Sequence, residues 1–112
     1  MTDAIRPETG AGLHVGTAVI VVTRRLDRSS VPQVREDLSQ AIEREHGDVV
    51  LDLATVEWVD TTGLGLLVSA HRRLLLQQRR LVLRGCRPRV RRALAMTRLN
   101  RVLRLEPNLG QV

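Results

Sequence analysis

Asp60, Thr61 and Thr62 stand in a row and are followed by Gly63, Leu64 and Gly65. An acid beside two hydroxyls admits two chemistries. One is nucleophilic, with the carboxylate activating its neighbour, but no His or Lys follows to complete a proton relay. The other is acceptance of a phosphoryl group at a helix start, where free backbone N–H groups and the helix dipole favour added negative charge. The surrounding residues describe such a start: a strand-like run at 49–53, a break, a second apolar step at Trp58 and Val59, then an amphipathic segment. Thr61 and Thr62 fall at or beside the N-cap, and the local pattern taken alone is also that of an ordinary capped helix.

The elements that must position these residues follow in order. Residues 1–12, with Pro7, Gly10 and Gly12, read as a flexible N-terminus. Residues 13–16 and 19–23 are β-branched-rich runs with the pattern of a hairpin. A loop from Leu26 to Ser30 offers a serine to cap the next helix, which has Pro32 at an allowed first-turn position and Val34, Leu38, Ala41 and Ile42 recurring at helical spacing until Gly47 stops it. The helix after the Asp-Thr-Thr signature is expected over Thr62 to Gln78, with Leu64, Leu67, Ala70, Leu74 and Leu75 as core positions and Leu66 and Leu76 off that stripe, available to a partner. Arg79 and Arg80 suit its C-terminal dipole. A strand at 81–83, a short helix around Val90, Leu94 and Ala95, a strand at 102–105 and a tail at 107–112 complete the chain. The sum is α/β, a four- or five-stranded mixed sheet with helices packed on it.

The signature resembles that of the STAS domain, in particular of bacterial anti-sigma factor antagonists, whose motif reads roughly acid, Ser, Ser or Thr, Gly, Leu, Gly. The resemblance rests on Leu51, Asp52, Leu53, Val59 and Asp60 to Gly65 and on the order of elements along the chain, and it implies a single STAS domain over 13–106. It implies phosphorylation at Thr61, with Thr62 as the alternative, although the family acceptor is usually Ser. Thr62 is then expected to be the buried cap that holds the turn. It further implies a partner surface of Asp27, Asp60, Thr61, Thr62, Gly63, Leu64, Gly65 and Leu66, Asp27 having a turn role as its rival reading. The implied partners are an anti-sigma factor that is a serine/threonine kinase of the GHKL type and a PP2C-type phosphatase. The alternative within the same family is a subunit of a lipid or solute transport complex docking on an ATPase.

Composition bounds what else is possible. A chain of 112 residues with one Trp and no Phe or Tyr forms one domain with an aliphatic core. No window is long enough to span a membrane and no signal-peptide pattern opens the chain, so a cytoplasmic location without membrane association is expected. His14, His46 and His71 lie on unrelated elements, Cys86 is the sole cysteine, and neither a P-loop nor a dinucleotide glycine pattern is present. No enzyme activity, catalytic residue, metal or cofactor is expected. Gly63 and Gly65 read instead as permitting close packing beside the signature. All eighteen basic residues are Arg, and they are polarised: residues 1–60 carry a balance of −5 and residues 61–112 one of +11, with Glu106 the only acid in the second part. That asymmetry favours an acidic partner or polyanion. Nucleic acid ranks below protein, because the arginines come without interleaved aromatics or a helix-turn-helix or zinc pattern.

Overall fold

The computed structural model describes residues 16–107. Strand β1 (Ala18–Leu26) leads to helix α1 (Val31–Arg44), strand β2 (Val49–Val59), helix α2 (Thr61–Leu75), strand β3 (Leu81–Arg84), helix α3 (Pro88–Met96), a 3-10 turn (Leu99–Arg101) and strand β4 (Arg104–Leu105). The sheet order is β1-β2-β3-β4, and all three pairings among the described strands are parallel. The antiparallel pairing expected of a mixed sheet rests on residues 13–16, which fall outside the described residues apart from Gly16, as do residues 1–12 and most of the expected tail.

Parallel strands need crossovers, and α1 and α2 supply the two that bracket β2. The strand is fully buried where it is central: Val49, Leu51 and Leu53 are inaccessible and join Leu26, Leu38, Leu67, Leu74 and Leu83 in one aliphatic core. The break expected after residue 53 is absent. β1 pairs with β2 from Ala18↔Val49 to Leu26↔Val59, through two register shifts, and this long partner carries Ala54, Thr55 and Glu57 as strand although their propensities are mixed. β3 pairs only with the first part, Val49 to Asp52. The far end of β2 therefore projects beyond β3 and hands Asp60 to the start of α2.

Two expectations for α2 are corrected. The buried stripe is Gly63, Leu66, Leu67, Ala70 and Leu74, so Leu66 is a core residue, while Leu75 is 57 % exposed and Leu76 87 % exposed. The helix also stops at Leu75. Gln78 adopts a left-handed backbone (φ 60°), the conformation that commonly closes a helix, and the Arg79 amide turns back to donate to the Leu74 carbonyl. Arg79 does not serve the end of α2. Its side chain is buried and donates to the carbonyls of Ile42 and Gly47, tying down the end of α1 instead. No helix of the described residues is long and apolar enough to cross a membrane.

Candidate functional site

The signature sits at the C-terminal edge of the sheet, where β2 turns into α2. Asp60 is the N-cap of α2: its backbone is extended and its Oδ1 accepts from the Gly63 amide at 2.8 Å. Its Oδ2 accepts from the Arg28 amide at 3.1 Å, and its own amide donates to the Leu26 carbonyl at 3.2 Å. One carboxylate thus ties the start of α2 to the loop between β1 and α1. Gly63 tightens the same joint. Its Cα faces the Leu26 carbonyl so closely that an added Cβ would overlap that oxygen, whereas a Cβ on Gly65 would meet nothing within 4 Å. Close packing therefore explains Gly63 and not Gly65.

Asp60 takes the capping role, and the threonines are left over. Thr61 and Thr62 occupy the first two helical positions, both are exposed, and neither hydroxyl bonds to another described residue. Thr62 is accordingly not the buried cap expected of it. Their backbone amides lack acceptors among the described residues too, so α2 begins with open donors and the positive end of its dipole.

Asp27 lies across the joint and organises its own loop. Oδ1 accepts from the Ser29 hydroxyl at 2.6 Å, from the Ser29 amide at 3.0 Å and from the Ser30 amide at 3.3 Å, and Oδ2 lies 3.7 Å from Arg25 Nε. The Ser29 hydroxyl, followed by these amides and the Arg25 charge, holds the Asp27 carboxyl below its ordinary value. The loop serine does not cap α1: Ser30 Oγ accepts from the Asp27 amide and donates to the Arg25 carbonyl. Asp27 and Asp60 line one open hollow of about 440 Å³, together with Arg25, Arg28 and Ser29. Of the expected partner surface, the fold brings together Asp27, Asp60, Thr61, Thr62, Gly63, Leu64 and Gly65 along this edge. Leu66 is withdrawn into the core, Gly63 is buried and Leu64 half-buried.

Arg25, Arg28 and Ser29 were not marked by any spacing to the signature, being about thirty residues upstream; Arg28 and Ser29 had one signal, their place beside Asp27 in the run Leu26 to Ser30, and Arg25, just before that run, had none. Trp58 was read only as an apolar step. It is 47 % exposed, with the Arg89 guanidinium 5.4 Å from its ring centre and Arg25 as its cross-strand neighbour. Cys86 is buried, and burial pushes its thiol up to about 11, far from a reactive thiolate. No group of three or more His, Cys, Asp or Glu among the described residues is placed to hold a metal ion.

A capped α2 start at the end of a central parallel strand, locked to the β1–α1 loop, is set in an architecture shared with known proteins. The model of the STAS domain matches residues 12–112, and the chain belongs to that family. It is 31 % identical over 93 residues to the anti-sigma-B factor antagonist of Listeria monocytogenes, covering 83 % of this chain and 82 % of the relative. The solved structure of the anti-sigma factor antagonist SpoIIAA in its unphosphorylated form superposes with a TM-score of 0.71 at 23 % identity, covering 88 % of this chain and 87 % of that one. The phosphorylated form of Bacillus SpoIIAA gives 0.65 at 21 %, covering 88 % and 90 %. A sulfate transporter family protein of Wolinella succinogenes gives 0.68 at 17 %, covering 88 % and 83 %. At these identities the structural likenesses establish the fold.

Proposed function

We propose that this chain is an anti-sigma factor antagonist whose binding is switched by phosphorylation of Thr61. The observation that carries this reading is the division of labour at the start of α2: Asp60 caps the helix, so the exposed Thr61 hydroxyl has no structural task and stands beside open amides. The curated Listeria relatives support the antagonist role. The partner is an anti-sigma factor that is also a serine/threonine kinase of the GHKL type. It docks on the edge formed by the Asp27 loop, Asp60, Thr61, Thr62 and Gly65, and a sigma factor is released.

The kinase then transfers the γ-phosphoryl group of its ATP to Thr61 Oγ1. The bond from the γ-phosphorus to the bridging oxygen breaks and leaves ADP, a new P–O bond forms, and the hydroxyl proton passes to a base of the kinase. The phosphate adds about −1.5 to −2 charges at neutral pH, which the α2 N-terminus tolerates. Against a partner surface fitted to a neutral hydroxyl, the same charge repels and must be desolvated, so binding is lost without unfolding. A PP2C-type phosphatase hydrolyses the ester and resets the switch.

Incubation with ATP and each candidate anti-sigma kinase of the same genome, followed by mass spectrometry of the peptide spanning Asp60 to Gly65, tests the reading. A phosphate on Thr61 and loss of kinase binding are the expected results. Stable co-purification with an ATPase and no phosphate would assign the chain to a transport complex instead.

A further inference from the structure

We propose that the chain carries a second binding site, at the opposite end of α2 from Thr61, for an acidic peptide segment that presents an apolar side chain. Fourteen residue steps separate Thr61 from Leu75, about 21 Å along a helix, so this site is distinct from the signature and does not rest on its reading.

The site is a groove of about 430 Å³ between the end of α2 and the approach to β4. Its apolar surface includes Leu75, 57 % exposed, and Val102, 53 % exposed, neither of which the core uses. Arg79, Arg80 and Arg104 line the same groove, and no acidic residue does. One carboxylate lies close by, Asp48, whose Oδ1 accepts from the Arg80 main-chain amide at 2.9 Å but pairs with none of the three guanidiniums. Neither Arg80 nor Arg104 has an ion-pair partner among the described residues. Arg79 is only 7 % exposed and is held by carbonyls rather than a carboxylate: Gly47 at 2.8 Å, Ile42 at 2.9 Å and the Gln77 amide oxygen at 2.6 Å. Its Nη2 has no acceptor at all among the described residues. A fixed, buried positive charge beside the two exposed guanidiniums of Arg80 and Arg104 creates a local field that an incoming carboxylate would satisfy at the exposed pair.

This groove gives a use to three of the twelve arginines of residues 61–112, a part of the chain whose +11 balance the signature leaves without a role. The mixture of cations with bare aliphatic surface selects the occupant. Carboxylates suit Arg80 and Arg104, while a leucine-like side chain covers Leu75 and Val102. A nucleic acid would leave the aliphatic surface unused and would find no Phe, Tyr or Trp to stack on: the one ring in the groove is the His71 imidazole, and Trp58 lies outside it with Arg89 over its ring.

The test uses the full chain and a short fluorescein-labelled peptide of repeating Glu-Glu-Leu. Controls are Gln-Gln-Leu, polyglutamate and a single-stranded oligothymidine. Saturable binding of the Glu-Glu-Leu peptide is expected, with the controls at least about tenfold weaker and the Leu75 and Val102 amide signals moving in NMR titrations. The double variant Arg80→Glu, Arg104→Glu and, separately, Leu75→Gln should each weaken binding by about tenfold at unchanged melting temperature. Arg35→Glu, an exposed charge change on α1, should not. The proposal is overturned if the peptide does not bind, if polyglutamate or oligothymidine binds as well, or if Arg35→Glu matters as much as the double variant. Self-association that the same variants abolish would hand the groove to a second copy and overturn it equally.

Discussion

Gly63 presses against the main-chain carbonyl of Leu26, leaving no room there for a side chain. The oxygen belongs to backbone and already accepts from the Asp60 amide, so it cannot move aside without breaking the joint between β1 and α2. Gly63→Ala should therefore destabilise by about 1 to 3 kcal/mol through overpacking. Gly65→Ala meets open space inside a helix and should stabilise by roughly 0.5 to 1 kcal/mol. Denaturant melts of the two variants separate close approach from a mere preference for glycine.

Asp60 performs two tasks that substitution can split. Asp60→Ala removes the acceptor for the Gly63 amide and that for the Arg28 amide, and should cost about 1 to 3 kcal/mol. Asp60→Asn keeps a capping oxygen but presents an NH₂ group to the second amide, and should recover the cap alone. Thr62→Ala should change stability by less than about 0.5 kcal/mol, because that exposed side chain holds nothing. A larger loss at Thr62 than at Asp60 in thermal melts would reverse the assignment of the cap.

From β1 onward the order of elements, the central buried strand and the helix start at the signature were all legible in the sequence, since each rests on local pattern. The faces of α2 were not. Apolar spacing selects Leu64, Leu67, Ala70, Leu74 and Leu75, but the helix is leucine-rich all round, and Gly63, which has no side chain to mark it, faces the core and rotates the stripe onto Leu66. The end of α2 escaped for a related reason: Gln78 rather than Gly takes the left-handed closing position. Continuity of β2 came from its pairing with β1, a relation between distant residues that propensity does not contain. The corrected stripe is testable. Leu67→Ala, and Leu66→Ala with it, should each cost roughly 2 to 5 kcal/mol, whereas Leu75→Ala should stay within about 0.5 kcal/mol.

The Asp27 loop should respond to acid in a specific window. The Asp27 carboxyl is held below its ordinary value of 3.8, chiefly by the Ser29 hydroxyl, so the folded state favours the charged form. Its contribution to the loop is complete above that ordinary value and is lost as pH falls through the lower folded one. Carboxyl NMR titration should give an Asp27 midpoint below 3.8, and Ser29→Ala should move it upward. An unchanged midpoint in Ser29→Ala would remove the hydroxyl as the cause.

Thr61 and Thr62 are both exposed, so burial does not choose between them as phosphoacceptors. What distinguishes them is position: Thr61 directly follows the capping acid, at the first helical residue, where the free amides and the dipole are concentrated. Thr61→Ala should abolish phosphorylation by the anti-sigma kinase while changing stability by less than about 0.5 kcal/mol and leaving unphosphorylated binding intact. Thr61→Glu should weaken that binding by at least about tenfold, although its single charge is smaller than that of a phosphate. Thr62→Ala should remain a substrate. Phosphate recovered on Thr62 in the unmodified sequence would exchange the two roles. Full kinase binding by Thr61→Glu would show that charge at this position does not control the partner, because the same helix start that accommodates a carboxylate in the free protein must expel it from the interface for the switch to work.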